Sequence, residues 1–178
     1  RLLVTLPLAA VAVIILAFPS DAQAWGPLAH LNFSAQALAN LATVQPGLRS
    51  VLQDFGNEFL YGSLAADIVV GKNMAKFLYH CHNWRVGFNV FKHAKPGAEQ
   101  AFALGFLSHL AADTVAHNYF VPRQLAVTSS RSGLGHAYWE ARFETHLGEG
   151  FARTAKEVIQ LDHTPADAHL DQIISPTI

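Results

Sequence analysis

The chain has 178 residues, 51% hydrophobic and 14% charged, with a formal net charge of −1. This length suits one domain with a sizeable core. The near-neutral balance, with no basic run, argues against duplex DNA or bulk RNA as a partner, because that binding rests on Lys and Arg against phosphates.

Residues 2–18 are almost wholly apolar, Pro19-Ser20-Asp21 breaks the run, and Ala22-Gln23-Ala24 places small residues two apart. The pattern predicts a secretory signal cleaved after Ala24, with export to the periplasm or the exterior. An uncleaved membrane anchor is the alternative, since the run reaches the lower limit for a span. The chain begins at Arg1 rather than Met and ends at Ile178. Neither is taken as a natural end, and the expected domain is 25–178, with C-terminal truncation left open.

From residue 25 on, the spacing of apolar residues reads as helix nearly throughout, without repeats, heptads or convincing strands, so the expected fold class is all-α. A helix is expected over 28–44, before Gln45-Pro46-Gly47. A short one follows from Pro46 to Phe55, stopped by Gly56. Asn57 is the expected N-cap of a helix over 58–70 closed by Gly71. Residues 73–83 are ambiguous, and 84–93 resume helical spacing up to the turn at Lys95-Pro96-Gly97. A long helix over 98–119 is apolar on most sides and therefore central; Pro122 is expected to end it. After a loop at 129–133, a second long helix is expected over 134–160, weak at Gly148 and Gly150. Thr164-Pro165 opens one more.

Two stretches carry chemistry. His109-Leu-Ala-Ala-Asp113-Thr-Val-Ala-His117 and His136-Ala-Tyr-Trp-Glu140 place metal-binding side chains four residues apart. Such residues share a helix face, with Cβ atoms roughly 5–6 Å apart, and zinc favours imidazole and carboxylate. His109, Asp113 and His117 are expected to face an interior, where unpaired polar groups are costly. One His on an apolar face is usually just a packed residue; a patterned set of His, Asp and Glu shifts that balance. Cys81, between two histidines, could be a ligand, but a packed thiol is favoured.

Trp25-Gly-Pro-Leu-Ala-His30, Tyr61-Gly-Ser-Leu-Ala-Ala-Asp67, Tyr79-His80-Cys81-His82-Asn83-Trp84 and Gly135-His136 complete an ordered series. On it the chain resembles the zinc-dependent phospholipase C family, which shares its fold with the fungal zinc-dependent single-strand nucleases. The resemblance runs from Trp25 to about Glu144. It implies a multi-helix bundle with two or three Zn2+ ions between helices. One ion would take Asp67, His82, His109 and Asp113, a second His117, His136 and Glu140, and a third Trp25, His30 and Asp113. Trp25 would bind through the α-amine freed by processing. His82 is preferred to His80 because Trp84 then falls where the family has an aromatic. The family's third central-helix ligand comes ten residues after the first, whereas His117 comes eight after His109. Eight residues of regular helix span roughly 12 Å, so one ion cannot take all three and Asp113 would bridge two.

The resemblance further implies hydrolysis of a phosphodiester, first of all a phospholipid head group, with Asp67 orienting or deprotonating the attacking water and with transient contact at a membrane surface. A secreted single-strand nuclease or nucleotidase is the second reading. A metal-stabilised binding domain without turnover is the third. Under the plainer reading Asp67 polarises a helix end, Glu140 pairs with Arg142 or Arg131, and Glu144 and His146 are solvated. His93, His163 and His169 belong to no pattern.

Overall fold

A computed structural model describes residues 25–68, 80–129, 132–147 and 149–175. All regular structure among them is helical, in accord with the all-α expectation. The expected signal or anchor at 1–24 lies outside the described residues. Among those described, no helix is long and apolar enough to cross a membrane.

Helix α1 (Pro27–Ala39) begins with Pro in its first turn, where the missing N–H costs nothing. It stops short of the expected Val44. Asn40 leaves helical geometry at φ −119° and its side chain donates to Gln36 O at 2.8 Å, a local bond that competes with the next helical turn. A 3-10 turn at Leu41–Thr43 follows. Helix α2 is Pro46–Asp54 and α3 is Gly56–Ile68. Asn57 lies inside the first turn of α3 rather than capping it. The expected end of that helix near Gly71 lies outside the described residues. Helix α4, Trp84–His93, is capped by Asn83, whose side chain accepts from Arg85 N at 2.9 Å.

Helix α5 (Ala98–Val115) does not run to Tyr119, and Pro122 does not end the helical path. A π-helical turn, Ala116–Phe120, joins α5 to α6 (Val121–Thr128), with Pro122 in the first turn of α6. Proline offers no N–H to the carbonyl four residues back and its ring crowds that carbonyl. The turn widens instead, and Val121 N–H reaches back five residues to Ala116 O. The single helix expected over 134–160 is two, α7 (Ser132–Glu144) and α8 (Glu149–Ile159). Residues 145–147 tighten into a turn, with Leu147 N donating to Glu144 O at 3.0 Å, ahead of the two poor helix formers Gly148 and Gly150. Helix α9 is Thr164–Ile174.

The core forms around α3 and α5, the most extensive helix pair. Phe102, Phe106 and Leu64 are fully buried between them and their neighbours. The two helices touch backbone to backbone. A Cβ on Gly62 would collide with Phe102 O, and one on Gly105 with Phe59 O and Ser63 N. Helix α1 covers α3, and α4 packs on α5. Helix α9 is tied down by two side chains: Tyr61 donates to Asp167 Oδ1 at 2.6 Å and His169 Nε2 to Val90 O at 2.8 Å. His163 and His169 are thus buried structural groups.

Candidate metal centre

The α3–α5 crossing sets the first polar group. Because Gly62 and Gly105 let the backbones meet, His109 on α5 donates from Nδ1 to Ser63 O at 2.9 Å. That bond fixes the tautomer and turns Nε2 inward. One helical turn on, Asp113 Oδ2 lies 3.3 Å from His109 Nε2. Both residues are buried, at 1% and 8% exposure. From α1, His30 stacks on His109 with ring centroids 3.7 Å apart and places Nε2 3.2 Å from Asp113 Oδ1. From the segment before α4, His82 Nε2 lies 3.1 Å from His109 Nε2, 3.2 Å from Asp67 Oδ1 and 3.7 Å from Asp113 Oδ2. Asp67 sits near the end of α3.

These separations suit shared ligation. Two ligands on one tetrahedral zinc, each 2.0–2.1 Å from it, sit roughly 3.3 Å apart. His30, 1% exposed, has Asp113 as its partner at Nε2, while its buried Nδ1 makes no hydrogen bond. The short Nε2–Asp113 contact is the separation two ligands of one cation would show. His30, His109 and Asp113 form one trio able to hold an ion, and Asp67, His82 and His109 another. The donor chemistry, imidazole with carboxylate, fits zinc.

A second group adjoins. On α7, His136 Nε2 lies 2.7 Å from Glu140 Oε1. The His117 ring, in the π-helical turn, sits 5.3 Å from that of His136. His117 is exposed at the rim, not facing an interior as expected, because the π turn re-aims the residues beyond Val115.

The charges of the two groups act on one another. Burial alone would raise Asp113, but the His109 and His30 imidazoles hold it well below the usual carboxylate range. His109 is raised: burial opposes its charge, and Asp113 beside it prevails. Burial lowers His30 and His117. Glu140 is pushed up to about 8 by burial, then by Asp113, Asp67 and Glu144. A half-buried carboxyl such as Glu140 that keeps its proton at neutral pH would exchange it for a divalent cation.

Of the expected ligands, His30, Asp67, His82, His109 and Asp113 converge, while His117, His136 and Glu140 gather beside them. His80 stays outside; its Nδ1 accepts from His82 N at 3.2 Å. Trp25 is buried against Phe33, Phe120 and Phe143, and its indole donates to Ala112 O at 3.1 Å, one residue before Asp113. Glu140 faces His136 rather than Arg142, and Arg131, the other partner expected for it, lies outside the described residues. Sequence reasoning missed the part played by Glu144. It is not merely solvated: Oε1 accepts from Leu28 N at 2.8 Å and Ala29 N at 3.3 Å, capping the helix that carries His30. Its spacing, four residues after Glu140, was the available signal.

A family model described as zinc dependent phospholipase C matches residues 29–173. No curated protein and no solved structure matches the chain. The matched span covers every residue of the two groups, from His30 to Glu140, and runs on into α9. With that match over most of its length, the chain belongs to the zinc-dependent phospholipase C family.

Proposed function

We propose that this protein is an exported zinc-dependent phosphodiesterase that removes phospholipid head groups. The observation carrying this reading is the set of inward-facing imidazoles and carboxylates around Asp113 in a chain of this family. One ion would be held by Asp67, His82, His109 and Asp113, a second by His117, His136 and Glu140, and a third by Trp25, His30 and Asp113. When bound, zinc supplies a Lewis acid for the phosphoryl group and makes water a stronger nucleophile near neutral pH. Asp67, whose side chain is 6% exposed and 3.2 Å from His82, would orient or deprotonate that water. A cavity of about 330 Å³ lined by His80, His82, Asn83 and Trp84 opens beside it. Its Trp84 wall suits the apolar part of a lipid. Export rests on the apolar run 2–18 and the small residues at 22–24.

A single-strand nuclease would use the same ions. Trp84, 40% exposed beside Phe88 at 5.6 Å, is a surface on which a base could stack. The test is turnover of phosphatidylcholine against single-stranded DNA by the zinc-loaded protein, with and without chelator. The expected result is chelator-sensitive release of phosphocholine with little DNA cleavage. DNA cleavage alone would favour the nuclease, and no turnover of either would leave a binding domain.

A further inference from the structure

The thiol of Cys81 has two neighbours that matter. Cys81 Sγ lies 3.3 Å from Ala66 O and 3.3 Å from His82 Nδ1, and the residue is 2% exposed. A carbonyl oxygen only accepts, so the S–H donates to Ala66 O. The sulfur lone pairs then face His82 Nδ1, which can approach only as a donor. His82 Nε2, at the far side of the same ring, points at Asp67 Oδ1, His109 Nε2 and Asp113 Oδ2. Ala66 immediately precedes Asp67 on α3. The contacts therefore close a loop: the Ala66 carbonyl, the Cys81 thiol, the His82 ring and the Asp67 carboxylate.

We propose that Cys81 is a positioning residue for the metal centre: its thiol holds His82 in the Nδ1–H tautomer, with Nε2 presented to the ion, and ties that ring to the turn of α3 that carries Asp67. This rests on the metal reading above. A histidine ligand generally donates its second ring N–H to an oxygen acceptor, and loss of such a partner typically costs 10–100-fold in metal affinity. Here the acceptor is sulfur, a weak one. Its own bond to Ala66 O fixes where the lone pairs point. Burial keeps water from taking its place.

The test uses the zinc-loaded full chain with Cys81→Ala and Cys81→Ser. Serine keeps a donor and an acceptor on a shorter bond; alanine keeps neither. Zinc transfer to a competing chelator should show Cys81→Ala weakened about 10-fold or more and Cys81→Ser within about threefold of the parent. In ¹H–¹⁵N spectra of the zinc-loaded parent, His82 should be ligated through Nε2 and should show a slowly exchanging Nδ1–H. That proton should exchange faster in Cys81→Ala and less so in Cys81→Ser. Equal zinc retention by all three proteins, equal losses in both variants, or ligation of His82 through Nδ1 would overturn the proposal. Failure of the metal reading is separable, since it would appear as absence of zinc from the parent.

Discussion

Asp113 is the residue on which the centre turns. It faces His30 through one oxygen and His109 and His82 through the other. Asp113→Asn should therefore lose more zinc and more turnover than His30→Ala, which removes one imidazole from one side. The loss of affinity should exceed the roughly 100-fold upper range for an outer partner. Equal zinc content and equal rates in the two variants would remove the bridging role. Glu140 gives a pH signature. In the zinc-free protein its folded value is raised to about 8 from an ordinary 4.5, so the folded state holds a proton that the unfolded chain releases. The stability this confers is full below the ordinary value and lost as pH rises through the folded one. A zinc ion held by Glu140 would take the place of that proton. The rise in melting temperature on adding zinc should thus widen between about pH 5 and about pH 8, and Glu140→Gln should flatten the trend. A rise independent of pH in the parent would place Glu140 away from the ion. The four-residue pairs were legible in the sequence because one helical turn brings such side chains together. The Ser63, Ala66 and Ala112 carbonyls that orient His109, Cys81 and Trp25 were not, since backbone acceptors leave no mark in residue identity.

At the scale of elements, the centre depends on how closely α3 and α5 approach. Gly62→Ala or Gly105→Ala would drive a methyl into the opposing backbone. Each should destabilise the fold by at least the 1–3 kcal/mol typical of overpacking. Each should also weaken zinc retention, because the Ser63 O–His109 bond spans that crossing. A variant with a lowered melting temperature but unchanged zinc affinity would show that the crossing does not position the ligand. Glu144→Ala should remove the cap on α1 and cost about 1 kcal/mol, with zinc loss confined to the His30 side; Glu144→Gln, which still accepts, should recover most of it. Helix existence was readable from apolar spacing and from Pro and Gly punctuation, as at 84–93 and Thr164-Pro165. Two boundaries were not. Pro122 reads as a stop, yet a widened turn absorbs it. The break between α7 and α8 falls at 145–147, ahead of the glycines that announce it.

For the whole molecule, the candidate ligands His30 to Glu140 lie on α1, α3, α5, the π-helical turn, α7 and the segment before α4, so ligation would bind six parts of the chain at once. Zinc binds a native arrangement that the unfolded chain lacks, and chelation should lower the melting temperature. The ordered series of motifs made the family legible; the depth of each ligand was not, because His117 reaches the rim through a π-helical turn that no local pattern announces. The central claim is that the converging histidines and carboxylates hold zinc. Elemental analysis of the purified protein after zinc reconstitution and desalting tests it most directly. The account predicts at least two zinc equivalents per chain, falling in Asp113→Asn. A chain carrying no zinc after reconstitution would contradict it.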